Sequence, residues 1–185
     1  MNKRLCSYLL SFAALTAQAA PSVSAEDDMA RFMADKGFLD RVEQVRATVA
    51  DRTSELVVTA MAFLGVPYKR GGNNAETGFD CSGFVRSMYE RTVGLVLPRL
   101  AKDQAAATQP IETKDLQPGD LVFFNTMRRA FSHVGIYVGE GKFIHSPKPG
   151  AQVRVEDMQQ SYWARRFDGA RRVVTFQRSA ELPQN

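Results

Sequence analysis

Cys81, His133 and His145 are the residues whose types and spacing could carry nucleophilic chemistry. Cys81 sits in Phe79-Asp80-Cys81-Ser82-Gly83-Phe84-Val85, where a turn runs into an apolar stripe of helical spacing. The chain's two histidines lie downstream, in segments that read as strands. The other cysteine, Cys6, falls in an N-terminal stretch with the marks of an export signal. Once that stretch is removed, one thiol remains without a disulfide partner, although oxidising compartments pair most thiols. A thiol, an imidazole and a second polar group to orient that imidazole are the parts of a thiol acyl-transfer site. Singly, a cysteine in apolar surroundings is usually a small buried hydrophobe, and a histidine a satisfied core residue. Their co-occurrence inside Gly-flanked motifs favours chemistry over architecture.

The export signal is read over residues 1–25. Lys3 and Arg4 form a basic start, Leu9 to Ala17 an apolar stretch, and Ala17-Gln18-Ala19 or Val23-Ser24-Ala25 a small-residue cleavage site. A periplasmic or secreted product is expected. Cys6 precedes the apolar stretch, whereas a lipid-modified cysteine would follow it at the cleavage point. No other segment approaches the roughly 18 to 20 apolar residues of a membrane span. Removing Lys3 and Arg4 from the 24 basic residues leaves 22 against 20 acidic ones, a balance that argues against a nucleic-acid partner. The pairs Arg128-Arg129, Arg165-Arg166 and Arg171-Arg172 read as a solvated face, with weak attraction to an anionic polymer such as cell wall as the alternative. One mature thiol and two imidazoles do not fill a structural zinc site, so no metal is expected.

Positioning these groups requires a helix and a hairpin. A charged, helix-prone segment over 26–53 carries no chemical motif. Leu56, Val57, Ala60, Met61 and Leu64 then recur with helical spacing and read as core, with Gly65 and Pro67 as the stop. Asp80 is the N-cap of the next helix, whose buried stripe is Phe84, Val85, Met88 and Tyr89 and whose end is near Gly94. Cys81 therefore falls in the first turn, where helix ends favour a thiolate and, with a cationic partner, bring cysteine pKa values from about 8.5 to about 3.5–7.5. A short helix over 100–107 and a buried strand, Leu121 to Phe124, follow. His133 to Val138 and Lys142 to Ser146 flank Gly139-Glu140-Gly141 as a hairpin. With those three residues as the loop, Val138 pairs with Lys142 and Gly135 faces His145, so both histidines share one sheet face about 7–8 Å apart along the diagonal. A two-residue loop would put them on opposite faces. Gln152 to Val155 reads as a further strand, and 176–185 as a flexible tail.

Taken together, Leu64-Gly65-Val66-Pro67-Tyr68, Gly71-Gly72, the Cys81 motif, Leu97-Pro98-Arg99, Pro118 to Phe124, His133-Val134-Gly135-Ile136-Tyr137-Val138-Gly139 and Phe143-Ile144-His145 resemble the NlpC-type cell-wall peptidase family. Tyr162-Trp163 and Arg171-Arg172-Val173 resemble the ending of its MepS (Spr) murein endopeptidase branch. The resemblance covers 54–175 and implies an α+β, papain-like cysteine peptidase domain, with helices packed on an antiparallel sheet and the nucleophile at a helix N-terminus. It implies hydrolysis of peptide bonds in peptidoglycan, without cofactor, with substrate chosen by the domain itself or through an adaptor protein. By carry-over Cys81 is the nucleophile, His133 the general base and then acid, and His145 the orienter. Tyr68 belongs to the oxyanion region, and Asp80 and Ser82 line the pocket for the substrate's acyl side. Leu100 stands where members that bind a free stem terminus carry a hydroxyl, which implies altered substrate preference. Two other readings are acyl transfer or amidase chemistry on another substrate, and an inactive wall-binding module.

Overall fold

Leu121-Val122-Phe123-Phe124 has no polar residue, so as a strand it has two faces that both need cover. The structure, a computed structural model, describes Asp40, Glu43, Gln44 and residues 53–174. The export signal at 1–25, most of the 26–53 segment and the 176–185 tail lie outside the described residues. The chain divides into Met1–Glu43 and Gln44–Asn185; in the first unit Asp40 and Glu43 are helical and exposed.

In the second unit, helical residues 53–61 (α1) precede a small hairpin of two-residue strands, β1 (Asn73–Asn74) and β2 (Gly78–Phe79). Helices α2 (Cys81–Val93) and α3 (Ala101–Ala106) follow. The remainder is β3 (Gln109–Ile111), β4 (Leu121–Phe124), β5 (His133–Gly139), β6 (Lys142–His145), β7 (Arg154–Asp157), the single-turn α4 (Ser161–Ala164) and β8 (Phe167–Arg172). β3 to β8 form one antiparallel sheet in the order β3-β8-β4-β5-β6-β7. All four β4 residues are buried, which fits their central place.

Alternation along the strands divides the core in two. Leu121, Phe123, Val134, Ile136 and Ile144 pack with Phe84, Val85 and Met88 of α2, while Val122, Phe124, Phe143 and Trp163 form a second cluster. Burying each such large side chain is worth roughly 1.5–3 kcal/mol, so β4 ties both layers together. The expected α1 core holds for Leu56 and Ala60, which are fully buried, but Leu64 is 49% exposed. The helix stops at Met61 and 62–65 form a turn, so helical periodicity no longer governs position 64.

Asp80 caps α2 by accepting the Gly83 N–H at 2.8 Å, and Gly94 ends it in the left-handed region with φ 71°. A Cβ on Gly83 would lie 2.1 Å from the Gly72 carbonyl oxygen, so glycine lets the loop lie against the helix start.

The hairpin differs from expectation in its mechanism. Gly139 pairs with Lys142, leaving a two-residue turn in which Glu140 and Gly141 have φ of 51° and 72°, as a type I′ turn requires. The register then shifts between Gly139 and Tyr137, and Tyr137 faces Phe143 and Ile136 faces Ile144. Val138 is the extra residue of a bulge, which restores the register that a two-residue turn alone would lose. His133 and His145 thus still share a face. A Cβ on Gly135 would lie 2.6 Å from the Phe143 ring and 2.9 Å from the Ile144 carbonyl oxygen. Gly135→Ala should therefore destabilise the domain by about 1–3 kcal/mol in chemical denaturation, the usual range for overpacking a filled core; unchanged stability would show that the strands have room to part.

Candidate active site

The α2 start is held by a polar cluster. The Asp80 carboxylate accepts two bonds from the Arg99 guanidinium, at 2.6 and 2.9 Å, and one from the Gly71 N–H at 3.0 Å, besides its cap bond. Ser82 Oγ accepts from Arg99 at 3.1 Å. These contacts fasten the glycine loop, the helix start and Leu97-Pro98-Arg99 to one another and occupy both Asp80 oxygens.

Beside that cluster opens a cleft of about 480 Å³, bordered by Tyr68, Cys81, Ser132, His133, Glu156 and Trp163 among others. Of the seven residues singled out in the sequence, Tyr68, Cys81 and His133 line it; His145 lies buried behind His133. Asp80, Ser82 and Leu100 do not line it. Leu100 is 51% exposed at the N-cap position of α3, where its carbonyl accepts the Asp103 and Gln104 N–H groups and its side chain caps nothing.

The two imidazoles form a line. His133 Nε2 lies 2.7 Å from His145 Nδ1, and His145 Nε2 lies 3.1 Å from Glu156 Oε2. The other Glu156 oxygen accepts Arg154 Nε at 2.7 Å and Nη2 at 2.6 Å. Trp163 stacks on His133 at 5.5 Å and meets His145 edge-on at 5.1 Å. Both rings are almost completely excluded from water.

Burial sets their charge states. It holds His133 well below the ordinary histidine range, with His145 adding to the effect and Glu156 opposing it. His145 is also lowered by burial, against its bond to Glu156. Burial works against the Glu156 charge, but the bonds to His145 and Arg154 hold its carboxyl down to about 2. The Cys81 thiol runs contrary to expectation. Although it opens α2, burial and then the neighbouring Asp80 carboxylate push it up to about 11, outweighing the N–H groups of Val134, Ser82 and Cys81 that face the sulfur. Burial, followed by Cys81 and Asp80, raises Tyr68, which keeps its hydroxyl a donor beside the thiol.

Glu156 and Trp163 were not identified as site residues in the sequence. The expected strand ended at Val155, one residue short of Glu156; the alternation Arg154-Val155-Glu156 was the available signal.

Helices on an antiparallel sheet, with a cysteine opening a helix beside paired strand histidines, define a papain-like α+β fold. The chain belongs to the NlpC/P60 family, whose model matches residues 65–172. It is 42% identical over 133 residues to the murein DD-endopeptidase MepH of Escherichia coli strain K12, covering 70% of this chain and 49% of that protein. It is 40% identical over 130 residues to the bifunctional muramidase/DL-endopeptidase CwlT of Bacillus subtilis strain 168, covering 69% and 38%. The crystal structure of the NlpC/P60 domain of the peptidoglycan hydrolase SagA matches with a TM-score of 0.58 and 33% identity, over 65% of this chain and 98% of that one. The chain spans half or less of the length of these two curated relatives. Among the described residues no helix is long and apolar enough to cross a membrane.

Because Leu100 occupies an uncapped helix start, Leu100→Ser should stabilise the domain by about 0.5–2 kcal/mol in urea denaturation. No gain would show that α3 draws its stability from packing alone.

Proposed function

We propose that the protein is an exported cysteine endopeptidase that hydrolyses peptide bonds in peptidoglycan stems or cross-links, with Cys81 as nucleophile, His133 as general base and then acid, and His145 as orienter. The observation that carries the reading is that one cleft is bordered by Cys81, His133 and Tyr68 together, with a hydrogen-bonded imidazole behind His133. The relatives' names supply the substrate class: one is a murein DD-endopeptidase, another a DL-endopeptidase. Two bonds fit these names, D-glutamyl to diamino acid within a stem and diamino acid to D-alanine in a cross-link. Lys148 and Arg154 also border the cleft and suit a peptide rich in carboxylates. The signal-like N-terminus supports a periplasmic or secreted location, and an adaptor protein is a further candidate partner.

Because burial pushes the Cys81 thiol up and His133 down, ionisation is part of the attack. The Cys81 proton passes to His133 as sulfur bonds the carbonyl carbon, and the carbonyl electron pair moves onto oxygen. The Cys81 N–H and the Tyr68 hydroxyl are the donors for that oxyanion. Collapse expels the amine, which takes the proton from His133 and leaves a thioester. Water then attacks, giving its proton to His133; the acid departs and the proton returns to sulfur. No step calls for a cofactor.

Purified protein should release muropeptides from sacculi, identified by mass spectrometry, and Cys81→Ala should release none while keeping its circular dichroism spectrum. His133→Ala should lose about 10²–10⁴-fold, the usual share of general acid–base catalysis. His145→Ala should lose less and His145→Asn less still. Wild-type-like turnover by Cys81→Ala would remove this mechanism.

A further inference from the structure

The line of bonds behind His133 does more than fix a ring's angle. A carboxylate can only accept, so Glu156 requires a proton on His145 Nε2. A neutral imidazole carries one N–H, which leaves His145 Nδ1 as a bare acceptor. His133 Nε2, 2.7 Å away, must then be the donor, and its own Nδ1 is left without a proton. One charge at the end of the line therefore decides, through two rings, which nitrogen of His133 can act as a base. Arg154 makes the arrangement one-way: its two donors occupy Oε1, so Oε2 is the oxygen that serves His145.

We propose that Glu156 is a positioning residue that sets the tautomers of both His145 and His133, keeping His133 Nδ1 free of a proton and open to take one from the thiol. The inference rests on the assignment of His133 as the base. Around the two rings stand Cys81 on α2, Glu156 and Arg154 on β7, and the uncharged Trp163 on α4 and Phe124 on β4. The sequence alone hides the role, because Glu156 lies outside the motifs around Cys81, His133 and His145 and two residues from an arginine that would pair with it in any strand.

Arg154 also makes the test specific. In Glu156→Gln the amide oxygen goes to the Arg154 donors, which turns the amide NH2 toward His145 Nε2. That reverses every proton in the line and blocks His133 Nδ1. Glu156→Ala removes the instruction without reversing it. Glu156→Gln should therefore be the more damaged, with kcat about 100-fold down against about tenfold for Glu156→Ala and KM within about twofold for both, on a soluble muropeptide. A packing role predicts the opposite order, since Gln keeps the shape; Gln milder than Ala would overturn the proposal. In Glu156→Gln the acid limb of kcat/KM should also move to lower pH, because Glu156 favours the protonated form of both rings and its charge is gone. An unmoved limb would count against it.

The tautomers can be read without turnover, from long-range ¹⁵N–¹H NMR correlations of the two imidazoles in the full chain. Wild type should show Nε2–H on both rings. A wild-type His133 protonated on Nδ1 would overturn the proposal even in an active enzyme. If wild type cut no muropeptide, the proposed function would fall while this spectrum still decided the tautomers.

Discussion

The 2.7 Å bond between His133 and His145 exists only while β5 and β6 keep both rings on one face of the sheet. A slip of one residue would send one ring to each face. The two-residue turn at Glu140-Gly141 by itself imposes such a slip, and the Val138 bulge cancels it. Gly135, with no Cβ, lets the Phe143 ring and the Ile144 carbonyl lie close against its strand, and Trp163 closes over the pair. The apolar layers on the two faces of β4 hold this geometry in place, so a bulge and a glycine on β5 and a distant tryptophan serve one hydrogen bond.

The same enclosure determines how the site stores its proton. Water exclusion disfavours charge on both imidazoles, and on the thiolate as well. A helix start offers partial positive charge to a thiolate, but here the cap is itself an acid, and its carboxylate beside the sulfur cancels that help. Asp80 is nevertheless well used. Its bonds to Arg99, Gly71 and Gly83 fix the helix start and with it the place of Cys81. Burial disfavours charge on the thiol and both rings, while Glu156 at the far end of the line is held ionised by His145 and Arg154.

Much of this was legible in the residues. Asp80 as cap, the Phe84-Val85-Met88-Tyr89 stripe, Gly94 as terminator and the buried Leu121–Phe124 strand each follow from local rules that no distant contact overrides. The shared histidine face was also read, though through a three-residue loop, because pattern alone does not show a bulge. What could not be read depends on partners distant in sequence. β8, Phe167-Asp168-Gly169-Ala170-Arg171-Arg172, looks like a polar loop and becomes a strand only between β3 and β4, with Arg172 paired to Asp120. β3 includes Pro110, a residue at home on an edge strand and uninformative by itself. Glu156 acquires meaning only when β7 pairs with β6. The upward push on the thiol comes first from burial, which no local pattern around Cys81 shows.

The central claim is that the resting site is a neutral thiol beside a neutral imidazole, activated during attack. The ultraviolet difference absorbance of the thiolate between wild type and Cys81→Ser, followed across pH, tests it most directly. With burial and Asp80 raising the thiol to about 11, thiolate absorbance should be absent at neutral pH and rise only in strong alkali. Full thiolate absorbance at neutral pH, disappearing only in acid, would contradict the account and replace it with a preformed thiolate–imidazolium pair.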